Sequence, residues 1–209
     1  MKIKKSLALK ILCVLLYSYQ FASAQNIGDP YPKPAVVIDE GIKLHDEENY
    51  SEAIKKYKMV HENDSFYALA LYELALSYTA DKLYEDARQA ALKGLSECDG
   101  VDRDMLIQYG NILDYLGQSD SAIKVYEFGI RKYPYQYRFN YEKGAAYSIQ
   151  KQWDSTLKYY IEALKINPYH LVNHYKIGMV AANANKPTLA ILALNTYCLI
   201  SNKDRKSVV

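Results

Sequence analysis

Two histidines four residues apart, His170 and His174, have the spacing of a metal-binding pair on one face of a helix. Zinc hydrolases with this spacing carry a glutamate next to the first histidine, where it acts as the general base. Here the intervening residues are Leu, Val and Asn, and no third ligand is evident. The spacing therefore favours an accidental match, and we predict neither a metal nor another cofactor.

Other catalytic signatures are also absent from the sequence. There is no glycine-rich phosphate loop with Lys-Ser or Lys-Thr, no Gly-x-Ser-x-Gly and no His-Glu-x-x-His. The formal charge is +2, but four of the 26 basic residues are lysines near the N-terminus, and the other 22 face 24 acidic residues. This balance gives no electrostatic reason to expect nucleic acid. The sequence predicts a protein that is not an enzyme.

Residues 1–24 have the three parts of a secretory signal peptide. A basic beginning is followed by an apolar run from Ile11 to Tyr17, and Ala22 and Ala24 stand just before Gln25. The apolar run is much shorter than the roughly 20 residues of a spanning helix. We therefore expect cleavage, export to the periplasm or the exterior, and association with the outer membrane only through a partner.

The cysteines predict neither a lipid anchor nor a disulfide. Leu12, rather than a small residue, precedes Cys13 inside the apolar run. Cleavage would leave Cys98 and Cys198, which we expect to be buried thiols, because a chain of this size needs no covalent staple. Residues 25–34, with three prolines within five positions, predict an extended linker.

From residue 35 onward the chain repeats itself in five rows, which begin at Tyr50, Tyr84, Ser119, Trp153 and Pro187. The fourth residues of these rows are spaced by 34, 35, 34 and 34 positions, and they are Ala53, Ala87, Ala122, Thr156 and Ala190. Twelve residues before each of them stand Gly41, Ala75, Gly110, Gly144 and Gly178. Within each row apolar residues recur at intervals of three and four, which predicts amphipathic helices that cross closely at the small residues.

These rows resemble the tetratricopeptide repeat, a helix-turn-helix unit of 34 residues. The family's aromatic position in the second helix holds Tyr57, Tyr126 and Tyr160, and its closing proline matches Pro134 and Pro168. The resemblance implies an all-α fold, a right-handed superhelical solenoid of five helix-turn-helix units whose first helices line a concave surface. The expected units are residues 34–67, 68–102, 103–136, 137–170 and 171–204, with a short tail at 205–209.

Two residues predict where helices begin and end. Gly117 can take a left-handed conformation in the turn between paired helices. Pro187 is expected at the first turn of the last helix, where its missing N–H group costs nothing.

A row of side chains on the first helices is the candidate binding site. The resemblance implies that the fifth residue of each first helix points into the groove, and these residues are Ile38, Tyr72, Ile107, Tyr141 and Tyr175. Tyrosine offers a large contact area, a polar tip and little rotamer entropy to lose. Nearby groove positions hold Asn111, Asp114, Tyr115 and Arg138. The predicted partner-binding residues are Tyr72, Ile107, Asn111, Tyr115, Arg138, Tyr141 and Tyr175.

The predicted function is a non-catalytic scaffold that binds a protein or peptide in the concave groove, in the cell envelope. A glycan-binding module is an alternative, because aromatic rows also suit sugar rings, and the N-terminal part of a longer envelope protein is another. Only a short polar tail follows the fifth repeat. We therefore expect either a truncated reading frame or docking of the C-terminal edge onto another subunit.

Cleavage after Ala24 is directly measurable. Mass spectrometry of the secreted or periplasmic protein should find Gln25 at the N-terminus, because Ala22 and Ala24 fit the small-residue pattern before a cleavage site. An intact Met1 on a membrane-embedded product would contradict export.

Overall fold

The computed structural model describes residues 33–97 and 103–206. The predicted signal peptide, Cys98 and the linker up to residue 32 lie outside the described residues. Within the described ranges the chain forms ten α-helices and no β-strand. The helices are α1 (Pro34–Asp46), α2 (Tyr50–Tyr57), α3 (Tyr67–Ala80), α4 (Tyr84–Glu97), α5 (Arg103–Tyr115), α6 (Ser119–Lys132), α7 (Tyr137–Ile149), α8 (Trp153–Ile166), α9 (Leu171–Asn183) and α10 (Pro187–Lys206).

The helices form five consecutive pairs, which confirms the predicted all-α repeat array. Each helix packs on the next, and adjacent first helices also touch, since α1 contacts α3, α3 contacts α5 and α5 contacts α7. The helix α1 begins at Pro34, which the predicted linker had included. The helix α10 continues to Lys206, past the expected boundary of the fifth repeat at residue 204.

The turn inside each pair ends the first helix in the same way. One residue of each turn has a positive φ, and these residues are Glu48 (61°), Lys82 (62°), Gly117 (74°), Lys151 (58°) and Asn185 (54°). The next residue donates its backbone N–H to the carbonyl five residues earlier, as Gln118 does to Leu113 at 2.8 Å. This is the hydrogen-bond pattern of the Schellman motif. The prediction for Gly117 is confirmed, whereas the sequence analysis missed the four residues that are not glycine.

Prolines separate one pair from the next. Pro134 and Pro168 each stand two residues after a second helix has ended, at Lys132 and Ile166. A proline cannot continue a helix interior, because it has no N–H to donate. Pro187 is the first residue of α10, as predicted, where that N–H would have no intrahelical partner.

Within a pair, the glycine of the first helix leaves room for an aromatic ring of the second. A Cβ atom added at Gly110 would collide with the ring of Tyr126, and one added at Gly144 would lie 2.6 Å from Cδ1 of Tyr160. Gly41 faces Tyr57 in the same way. Tyr57 and Tyr126 are fully buried by this arrangement. We call this contact the glycine–ring contact.

The other crossings confirm the small-residue prediction. The five residues of the Ala53 series are buried, as are Ala75 and Ala91 in the second repeat, where no ring is present. In the fifth repeat the partner of Gly178 is Leu194. Between repeats, Gly94 faces Met105 and Gly129 faces Phe139, so small residues also set the distance from one pair to the next.

Two glycine substitutions should separate packing from backbone strain. Gly110→Ala should lower the free energy of unfolding by about 1–3 kcal/mol, because the added methyl group overpacks against Tyr126. Gly117→Ala should cost about 1–2 kcal/mol through its left-handed φ alone, because a Cβ atom there meets nothing within 4 Å. Urea denaturation measures both. If Gly110→Ala were as stable as wild type, the glycine–ring contact would not be tight.

Candidate functional site

The fifth residues of the first helices differ in their access to solvent. Ile38 and Ile107 are buried, at 2% and 0% exposure. Tyr72 and Tyr141 are half-buried, and Tyr175 is 42% exposed. The prediction of Ile107 as a partner-binding residue is therefore wrong, because its side chain lies wholly in the core. The tyrosines of the row remain accessible to different degrees.

Tyr141 and Tyr175 are each held by another aromatic side chain. The ring of Tyr141 stacks on Tyr160 with centroids 5.3 Å apart and meets the edge of His170 at 5.2 Å. Burial raises the pKa of Tyr141, so its hydroxyl stays neutral. The ring centroid of Tyr175 lies 5.5 Å from the ring centroid of Tyr197 on α10. Both rings are thus positioned before any partner arrives.

The two histidines contact other residues of the described chain. His170 packs against Tyr137 and Tyr141, and burial lowers its pKa, with a further contribution from His174. His174 uses Nε2 to donate to the carbonyl of Pro168 at 2.8 Å. Among the described residues, no group of three or more His, Cys, Asp or Glu side chains could hold a metal ion.

The polar groove residues are engaged with neighbouring helices. The hydroxyl of Tyr126 donates to Oδ1 of Asn111 at 2.8 Å and lies 3.3 Å from Oδ2 of Asp114. Arg138 of α7 forms an ion pair with Asp104 of α5, with an N–O distance of 3.1 Å. These contacts join α5 to α6 and to α7, and they hold the side chains of Asn111, Asp114 and Arg138 in place.

Tyr115 is the most exposed of the predicted site residues. It stands at the end of α5 with 59% of its surface exposed. Its ring stacks on Tyr84 with centroids 5.2 Å apart and planes 6° from parallel. One ring supports the other, and an aromatic surface remains open to solvent.

Two carboxylic acids on the first helices, Glu73 of α3 and Glu142 of α7, have shifted pKa values and were missed by the sequence analysis. Each follows a tyrosine of the row directly in sequence, Tyr72 and Tyr141. Burial raises the pKa of Glu73, and Asp46 raises it further. Burial also raises the pKa of Glu142, to about 7, against the opposing effect of Arg138. Their sequence position next to the tyrosine row could have identified them.

Part of this architecture matches a known family of repeat proteins. Residues 39–101 match the family model of the tetratricopeptide repeat. The matched region begins within α1 and extends past α4, and the later helices continue the same pairing and turn geometry. The fold is a tetratricopeptide repeat solenoid. The resemblance implies that the first helices line the concave side, where the tyrosine row and the two glutamates are then expected.

Several solved structures have this fold. MamA is 19% identical and has a TM-score of 0.66, covering 79% of this chain and 96% of MamA. MamA of Desulfovibrio magneticus RS-1 is 17% identical with a TM-score of 0.67, covering 85% of this chain and 98% of its own. YrrB, a tetratricopeptide repeat protein with an unusual peptide-binding site, is 20% identical with a TM-score of 0.57, covering 87% and 91%. At these identities the likeness shows the fold alone. A comparison with curated proteins gives no match.

Lys143 is the residue most suggestive of chemistry, and its surroundings oppose that role. It is buried, with Nζ 2.8 Å from Oε1 of Glu127 and 2.8 Å from the hydroxyl of Tyr159. Burial alone would lower the pKa of Lys143, but these two hydrogen bonds outweigh it and raise the pKa. A lysine that stays protonated is a poor nucleophile. The residue acts as a structural link between α6, α7 and α8.

One residue on the surface of α10 corrects a prediction. Cys198 is exposed, so its predicted burial is wrong, because the face of α10 on which it lies is not covered by another described helix.

No helix in the described ranges has the length and apolar character needed to cross a lipid bilayer.

The raised pKa of Glu142 predicts a pH-dependent effect of Glu142→Gln. Below pH 4.5 the carboxyl group is protonated in both the folded and the unfolded chain, so the substitution should change stability little. Between about pH 4.5 and pH 7 wild-type stability falls through this group as the pH rises, because the unfolded chain releases the proton first. Above about pH 7 the folded chain carries a poorly hydrated carboxylate and the loss is complete. Glu142→Gln should then be more stable than wild type by about 1–2 kcal/mol.

Urea denaturation at pH 4 and pH 8 measures this difference. Glu52→Gln is the matched control, because Glu52 is exposed on α2 and pairs with Lys55 on the surface. An equal effect of Glu142→Gln at both pH values would contradict the burial of this carboxyl group.

Proposed function

We propose that this solenoid is a non-catalytic scaffold that binds a protein or peptide partner along its concave surface. The observation that carries the proposal is the tyrosine row, in which Tyr141 and Tyr175 are accessible and already held by neighbouring rings. A side chain that is ordered before binding loses less conformational entropy when a partner arrives. The peptide-binding site of YrrB, a protein of the same fold, supports this use of the solenoid.

The proposed cellular location is the envelope. Its support is the signal-like sequence of residues 1–24, with Ala22 and Ala24 before Gln25. The partner would then be another exported protein or an envelope component.

A glycan is the second candidate ligand, because the ring of Tyr115 is widely exposed and rests on the parallel ring of Tyr84. Such a surface suits stacking against the apolar face of a sugar. The protein or peptide proposal is favoured by the length of the row, which extends over three first helices from Tyr72 to Tyr175.

A separate contact surface is proposed on α10. Ile191, Leu192 and Leu199 are exposed by 62%, 64% and 71%. The residues at the repeat position of Ile191 in other repeats, Ile54, Ile123 and Leu157, are buried. An apolar face of this kind typically contacts another protein surface.

Replacing Tyr141 and Tyr175 together by Ala tests the groove proposal. Loss of each aromatic contact should weaken binding by about 1–4 kcal/mol, or about tenfold or more in affinity. The measurement is the recovery of a crosslinked partner from an envelope fraction, with circular dichroism showing that helix content is kept. Glu52→Ala on α2 is the control and should bind as wild type does.

A folded double variant that recovers the same partner in the same amount would disprove the role of the row. Binding of the wild type to glycans but to no envelope protein would favour the second candidate.

A further inference from the structure

Two clusters of carboxyl groups lie between first helices that are neighbours in the solenoid. The first joins Asp46 of α1 to Glu73 of α3, near the hydroxyl of Tyr57. The second joins Asp114 of α5 to Glu142 of α7, near the hydroxyl of Tyr126. We call them the first and second acidic junctions. The same construction thus occurs twice along the concave surface.

The cations near these junctions are few and mostly engaged. Arg138 is close enough to Glu142 to lower its pKa, but its guanidinium forms an ion pair with Asp104. At the first junction, Nδ1 of His45 is 2.7 Å from the hydroxyl of Ser77. The other lysine and arginine residues of α1, α5 and α7 are Lys43, Arg103 and Lys143, of which Arg103 pairs with Asp104 and Lys143 with Glu127. On α1, α3, α5 and α7 seven carboxyl groups therefore outnumber four lysine and arginine residues.

Hydrogen bonding at the junctions is incomplete within the described part of the chain. Oδ1 of Asp114 is buried and accepts no hydrogen bond. The hydroxyl of Tyr57, whose ring is fully buried, makes no hydrogen bond of good geometry, although the hydroxyl of Ser77 lies near it. A buried polar atom without a partner is costly, and such atoms often mark the place of a missing ligand or water. This observation is independent of the charge balance and occurs at both junctions.

A donor with positive charge would both hydrogen-bond to Oδ1 of Asp114 and offset the excess of carboxyl groups. An inorganic divalent cation is a poor match, because it requires about six oxygen ligands or several retained waters. No described group of three or more acidic, His or Cys side chains is present to supply them. Lysine and arginine side chains of a peptide carry charge and several N–H donors, and their stems can pack against tyrosine rings.

We propose that the partner of the concave surface is a cationic peptide segment that places Lys or Arg side chains at the two acidic junctions. Its apolar parts would lie against Tyr72 and Tyr141, the tyrosines that precede Glu73 and Glu142 in sequence. This inference rests on the proposed groove-binding function and specifies the chemistry of the partner. The carboxylates lose hydration in the folded chain, and the bound cations compensate for that loss.

Fluorescence anisotropy with short labelled peptides tests this inference on the full chain. The probes are peptides of alternating lysine and alanine, of glutamine and alanine, and of glutamate and alanine. The lysine peptide should bind at least about tenfold more tightly than the glutamine peptide, and the glutamate peptide should bind least. If the lysine peptide binds no better than the others, or no peptide binds, the inference is wrong.

Two double variants with the same change in charge separate the junctions from general attraction. Glu73→Gln with Glu142→Gln should weaken binding of the lysine peptide about tenfold or more. Glu52→Gln with Glu162→Gln is the control, because both glutamates are exposed on second helices and pair with nearby lysines. It should change the affinity by less than about twofold. Equal weakening by the two double variants would contradict binding at the junctions.

The tyrosine variant distinguishes failure of this inference from failure of the groove proposal. Suppose that the glutamine peptide binds as well as the lysine peptide and that Tyr141→Ala with Tyr175→Ala abolishes both interactions. The groove then binds peptides without a preference for cations, and only the inference fails. If the junction variants weaken binding while the tyrosine variant does not, the cationic partner stands and the tyrosine row is ordinary packing.

Discussion

The close contact between a glycine on the first helix and a ring on the second sets the helix spacing in three of the five repeats. Because Gly110 has no Cβ, the ring of Tyr126 fits against the first helix where a methyl group would collide. The same contact occurs at Gly41 and Gly144. It sets the spacing of the two helices, and the Schellman turns end each first helix with the same hydrogen bond and a residue of positive φ. Repetition of one geometry is what makes the helix pairs stack in a regular array.

This packing also explains why the concave surface contains carboxyl groups that are partly removed from water. The tyrosine that fills the glycine gap carries its hydroxyl toward the groove, where Tyr126 meets Asn111 and Asp114. Adjacent first helices then bring Glu142 toward Asp114. The acidic junctions are therefore built on the same ring that closes the helix pair. Tyr126 therefore contributes both to the stability of its helix pair and to the proposed binding site.

The sequence predicts some of these features and not others, for physical reasons. The positions of Gly110 and Ala122 were predictable, because a helix crossing requires small residues at fixed intervals. The burial of Ile107 was not, because position five of a first helix lies at the border between core and groove, and side-chain size decides which it joins. The left-handed residue Lys82 was missed because hydrogen bonds of the turn, rather than residue type, hold it there. The shifted pKa values of Glu73 and Glu142 arise partly from carboxyl groups of the preceding repeat, and the sequence of one repeat does not reveal such contacts.

Backbone hydrogen exchange, measured by mass spectrometry with and without the lysine–alanine peptide, most directly tests whether the concave surface is the binding surface. Bound peptide should slow exchange in α3, α5 and α7, which carry Glu73, Asp114 and Glu142. Exchange in α4, α6 and α8 should change less, because second helices lie on the convex side of this fold. Protection confined to the second helices would contradict a cation-binding groove, as would the absence of any protection at saturating peptide.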